Sequence, residues 1–347
     1  DFERFEIVEA PILAPELAAK YPEIATYRGQ GVDDPSATIR FDVTETGLHA
    51  MILSPEGAYY VTPYSQGDAS LYLSYDAGEY SSITAQDIEN DLVENDSLLA
   101  AEENRSSNNL TFGGDANSGF YGETLTTYGM AVSASGEFTA NNGGTVSSAL
   151  SAITTGINWV NGIYENELAM RFQILAGSDA MIYTNAATDP YDITQSNTSM
   201  LNQNQSNVDS VFGNANYDIG HLFINKSNFG GVATLASAGV SSMKAEGISG
   251  NTEGFTTAHE IGHQFNAHHT WNGDGTGNLS DPNNPFNSTQ YDAASSMEPG
   301  AGTTIMSYGN LASSDENIQG HRDEYFHAKS LEQISTHATA HPPVVGS

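Results

Sequence analysis

Three histidines and one glutamate between positions 256 and 269 are the residues of this chain best suited to chemistry. In the run Thr256-Thr257-Ala258-His259-Glu260-Ile261-Gly262-His263-Gln264-Phe265, a helix brings His259 and His263 onto one face. Two imidazoles so placed reach a single metal ion. Glu260 then projects roughly 100° away around the helix, beside the ion, where it can take a proton from water without being a ligand. Asn266 suits the left-handed conformation that ends a helix, after which His268 or His269 can return as a third ligand. A histidine pair on a helix is also a common polar surface patch. A structural zinc site usually closes with four protein ligands, often cysteines, and this chain has no cysteine.

The pattern His259-Glu260-x-x-His263-x-x-Asn266-x-x-His269 resembles the extended zinc motif of the metzincin metallopeptidases, with Asn where the family normally has Gly. Thr304-Ile305-Met306-Ser307-Tyr308 is similar to the Met-turn of that family. The resemblance implies that His259, His263 and His269 bind Zn2+, that Glu260 is the general base, and that Met306 floors the site. It leaves His268 as an exposed or outer neighbour. Within the metzincins, Tyr217-Asp218-Ile219-Gly220-His221, Gly230-Gly231-Val232-Ala233 and a closing C-terminal helix resemble the reprolysins (adamalysins). Tyr308 is instead typical of astacins and serralysins, so an astacin- or serralysin-like protease is the alternative within the family. A gluzincin would recruit a downstream glutamate, and Glu298 is available for that.

The elements that must position these groups follow from composition and periodicity. The chain has 347 residues, enough for two domains. Ten Lys and Arg stand against 43 Asp and Glu, a net charge of −33. Such a surface lacks the clustered positive charge that nucleic acids and anionic membranes require, so neither is expected as a partner. The chain has no apolar run of membrane-spanning length. It opens on Asp1, so an export signal is expected to have been removed from, or left off, this sequence. The absence of cysteine fits a secreted, extracellular location.

Residues 1–80 alternate as short strands between turns. We expect a β-rich, antiparallel sandwich, with a short helix at 14–20 that has Pro near its start. The segment at 21–31 resembles the pro-domain that precedes reprolysin-like catalytic domains. Residues 81–123 are first acidic, then rich in Gly, Ser and Asn, which reads as a linker and activation segment.

Residues 124–347 then read as the catalytic domain. Val146, Leu150, Ile153, Ile157 and Val160 form a helical stripe, with strands expected near 127–134, 170–175, 180–183, 217–224 and 230–235. His221 is expected to be a hydrogen-bonded strand histidine, and a last helix is expected over 322–338. The expected class is therefore α+β, a twisted mixed sheet with helices preceded by an antiparallel β pro-domain.

The resemblance further implies that Gly231, Val232, Ala233, Thr234 and Leu235 form an edge strand able to bind extended peptide. The expected activity is zinc-dependent hydrolysis of protein or peptide substrates, held latent by the chain's own pro-domain. Tyr308 is expected to bond the developing oxyanion. With no cysteine to block the zinc, Asp115 in Gly113-Gly114-Asp115-Ala116-Asn117 is the candidate pro-segment ligand, ahead of Glu123 and Asp96. A Ca2+ site is considered at Asp274 and Asn278, where such runs more often form only turns. The competing class is a zinc-binding adhesion module on a degenerate protease fold, against which the intact Glu260 argues.

Overall fold

The computed structural model describes residues 3–65, 67–78, 92–93, 122, 124–252, 254–273, 290–309 and 316–345. Six consecutive strands open the chain: β1 (Phe5–Glu9), β2 (Ala25–Gly31), β3 (Thr38–Thr44), β4 (Gly47–Ser54), β5 (Gly57–Ser65) and β6 (Asp68–Asp76). Each pairs antiparallel with the next. Helix α1 (Pro15–Lys20) connects β1 to β2, with proline at its first position as its fixed φ favours. Where a sandwich was expected there is one sheet. Its second layer is a helix from further along the chain.

That helix, α3 (Val146–Leu168), follows α2 (Gly136–Asn141) and starts at a capping box between Thr145 and Ser148. Its apolar stripe, Ile153, Ile157 and Val160, is fully buried. Most of its other residues are buried too, apart from a stripe at Ala152, Trp159 and Asn166, because α3 lies between the antiparallel sheet and a second, mixed sheet. The mixed sheet contains β7 (Leu92–Val93), β8 (Thr126–Ala134), β9 (Met170–Ile174), β10 (Ile219–Phe223), β11 (Gly231–Thr234) and β12 (Gly247–Ser249). The spatial order is β7-β11-β12-β10-β8-β9. Strands β9, β8, β10 and β12 run parallel, and β11 is antiparallel to β12.

Three features depart from the sequence-based expectation. The run at 180–183 is a short 3₁₀ turn over Ser178–Met181 with a single bridge from Ile182 to Ala134. Helix α4 (Asn197–Phe212) is mostly polar, burying Met200, Leu201 and Val208 beside Asn204 and Gln205, which bond the backbone of Ala245. The final helix α6 (Ala328–Ala340) begins six residues later than expected, capped by His327.

Candidate active site

Helix α5 (Gly254–Gln264) carries the histidine pair. Its inner face, Ala258 and Ile261 continuing into Phe265, is buried in the main core. The Tyr164 hydroxyl of α3 donates to the Ala258 carbonyl at 3.0 Å, fixing the helix against its neighbour. Asn266 adopts φ 71°, and the Ala267 N–H bonds back to the Gly262 carbonyl at 2.9 Å. This six-to-one bond is the Schellman closure, and it turns the chain sharply enough to bring His269 back over the helix.

The side chains of His259, His263 and His269 converge, with potential ligand atoms all within 4.8 Å of one another. All three are buried. Each Nδ1 faces a backbone carbonyl: His259 that of Ile305 at 2.6 Å, His263 that of Ala267 at 2.6 Å, His269 that of Gln290 at 2.8 Å. A carbonyl oxygen can only accept, so each Nδ1 carries the proton and each Nε2 presents a lone pair. Two of those, on His263 and His269, lie 3.1 Å apart. Two bare lone pairs at that separation repel. One cation shared between them removes the conflict, because 3.1 Å is less than two zinc–nitrogen bonds of about 2.0–2.1 Å. The donor set therefore fits a borderline-soft divalent ion such as zinc.

Three further groups shape the site. Glu260 is fully buried, with its carboxylate against β11 at Gly231. A Cβ placed on Gly231 would land on its carboxylate, so that glycine leaves the space the carboxylate occupies. Met306 is also fully buried, with its sulfur 2.6 Å from where a Cβ on Gly262 would be, beneath the turn of helix between the two histidines. Tyr308 is buried among His269 (ring centroids 4.6 Å), Trp271 (5.7 Å) and His259 (6.4 Å).

Glu298 does not join the histidines. Its carboxylate accepts from the Thr303 N–H at 2.8 Å, the Thr304 N–H at 3.1 Å and the Thr304 hydroxyl at 2.6 Å, and from the Thr270 hydroxyl. It clamps the turn that carries Met306 to the strand after His269, which spans β13 (Trp271–Asn272) against β14 (Glu298–Pro299). Nothing in the spacing announces this role or that of the Ile305 and Gln290 carbonyls, since all depend on chain segments distant in sequence, while the Ala267 carbonyl is supplied by the helix-ending turn itself.

The other expected residues fall as follows. His268 points away, its Nδ1 3.6 Å from Asp292. His221 is buried on β10, with Nδ1 3.1 Å from the Gln264 amide oxygen and Nε2 2.9 Å from the Ser249 hydroxyl. Burial pushes its pKa down to about 4, so it stays neutral and ties α5 to the sheet. Gly231 to Thr234 form β11 as expected, with Leu235 buried just beyond. Here the structure adds a partner: Ala233 and Thr234 pair in parallel with Leu92 and Val93, so β11 is not the outermost strand. Asp115, Glu123, Asp96, Asp274 and Asn278 lie outside the described residues.

Residues 124–337 match the family model described as "Metallo-peptidase family M12B Reprolysin-like". Among solved structures, the crystal structure of metalloproteinase-II from Bacteroides fragilis is similar at a TM-score of 0.47 and 11% identity, covering 95% of this chain and 86% of that one. No curated protein matches the chain.

Proposed function

From the premise that this chain belongs to the reprolysin-like metallopeptidases of family M12B, we propose that it is a secreted zinc endopeptidase made in a latent form. One observation carries the zinc assignment: three buried imidazoles, each fixed through Nδ1 by a carbonyl, turn their Nε2 lone pairs on one point. When bound there, zinc acts as a Lewis acid towards water and the scissile carbonyl.

The chain's own groups do the rest. Extended peptide adds to β11 through its backbone donors and acceptors. Glu260 takes a proton from the attacking water and delivers it to the leaving amine. The Tyr308 hydroxyl donates to the oxyanion as it develops. Met306 and its turn supply an apolar floor, and the Ile305 carbonyl within that turn holds His259 in register.

Latency is assigned to residues 81–123. There Asp115 would offer a carboxylate to the metal in place of water. Asp115→Ala is expected to shorten the lag before activity appears in the purified full-length chain; an unchanged lag would remove Asp115 from the scheme.

The function is tested with Glu260→Ala. Casein hydrolysis is expected to fall by about 10²–10⁴-fold, with one zinc per chain retained. Wild-type activity in that variant would refute the mechanism, and a chain that binds zinc but never cleaves casein would favour the adhesion module.

A further inference from the structure

We propose that residues 3–78 are a retained subunit of the enzyme: when the chain is cut in the segment before residue 124, they stay bound to residues 124–345. The partner surface is the face of α3 turned to the antiparallel sheet together with the side of β9 away from β8, and that surface is shaped for its occupant.

Gly162 lies in the middle of α3, where a glycine weakens a helix. A Cβ there would lie 2.7 Å from Met51 Cε and 3.1 Å from Arg40 Cγ, so the glycine serves the close approach of β3 and β4. Beside it, buried Arg40 forms an ion pair with Glu165 of α3 and reaches the Asn158 side chain at 3.3 Å. Arg171 of β9 joins the same carboxylate at 2.5 Å and Arg28 of β2 lies 3.6 Å from it. Asp42 of β3 is fully buried and accepts from the Thr155 hydroxyl of α3 at 2.9 Å. Separation would take Arg40 and Arg28 from Glu165, leaving it Arg171 alone, and would take the Thr155 hydroxyl from Asp42.

The apolar and backbone contacts agree. Ile12, Leu13, Leu17, Met51 and Tyr60 belong to the same core as Ile163, Leu168 and Ile174. The Ile174 N–H donates to the Ile12 carbonyl at 2.7 Å, and the Ala14 N–H donates to the Ile174 carbonyl at 2.8 Å. Residues 12–14 thus continue the mixed sheet past β9, and their departure would bare its edge. These contacts gather at the β9 end of the sheet, while β11 lies at the other, so retention does not depend on whether the chain cleaves peptides.

Arg105 is the single Lys or Arg between residues 81 and 123, so limited trypsin digestion can cut there. The full-length Glu260→Ala chain is digested and passed over a size-exclusion column in native buffer. Fragments 1–105 and 106–347 are expected to co-elute at the uncut volume and to separate in 6 M urea, a conventional denaturing concentration of about that value. Separate elution of the two fragments in native buffer would overturn the proposal, as would digestion of residues 3–78 to small peptides. Arg40→Ala is expected to raise by at least about tenfold the protein concentration at which half the fragments co-elute. An unchanged midpoint would show that this seam does not hold them.

Discussion

Gly231 has no side chain to contribute, yet it fixes where the proposed base can sit. Its missing Cβ is the space of the Glu260 carboxylate. Gly231→Ala should push that carboxylate by the width of a methyl group without touching any histidine. A displacement near 1 Å costs up to about 10²-fold in rate. We expect kcat to fall by at least about tenfold, some 1.4 kcal/mol of barrier, with zinc content unchanged. Zinc analysis beside steady-state kinetics reads both quantities, and a fall in zinc with kcat preserved would reject the assignment. The pairing of His259 with His263, and Glu260 beside them, was legible in the sequence because a helix fixes the geometry of residues four apart, whereas the choice of His269 over His268 came from the family resemblance alone. The carbonyls of Ile305 and Gln290 were not, nor was the place Gly231 leaves for Glu260, because loops and a strand bring them in from distant sequence; the Ala267 carbonyl is local but depends on the turn at Asn266.

At the scale of elements, α5 is held by more than its own hydrogen bonds. His221 of β10 links Gln264 at its last turn to Ser249 of β12, and Gln264 also donates to the Gly220 carbonyl at 3.1 Å. The folded-state pKa of His221, about 4, lies below its ordinary 6.5, so the unfolded chain takes up the proton first. Its contribution is complete above pH 6.5 and is lost as pH falls towards 4, up to about 3 kcal/mol by linkage. His221→Gln should lower stability at pH 7 and flatten its decline between pH 6.5 and 4. Urea melts of both proteins across that range check this, and parallel declines would exclude His221 as the source.

Periodicity located α3 and the four strands β3 to β6 of the meander, whose apolar positions repeat at regular intervals, but not β1 and β2, whose sequence is more mixed. It missed α4, because two of that helix's five buried residues are Asn and Gln that bond backbone rather than apolar side chains. It also missed the three-residue β12, too short to carry a pattern.

Across the whole molecule, opposite edges of the mixed sheet are both covered by chain from before residue 124: residues 12–14 beside β9, and Leu92–Val93 beside β11. The strongly negative surface coexists with a seam where scarce cations collect. Arg28, Arg40 and Arg171 share Glu165, and Lys20 pairs with Asp179. Removal of the opening region would therefore alter charge, core and edge together.

The pairing of Leu92 and Val93 with β11 has a kinetic meaning. A peptide that adds to β11 competes with a rival carried on the same molecule, whose local concentration is about millimolar and does not change on dilution. Such a rival blocks free enzyme without slowing the bound complex, so it raises the apparent KM and leaves kcat alone. Val93→Pro removes a backbone donor from the rival strand and should lower KM at constant kcat, equally at high and low enzyme concentration. A change in kcat instead would move the brake from the strand edge to the metal, where a carboxylate such as Asp115 would act.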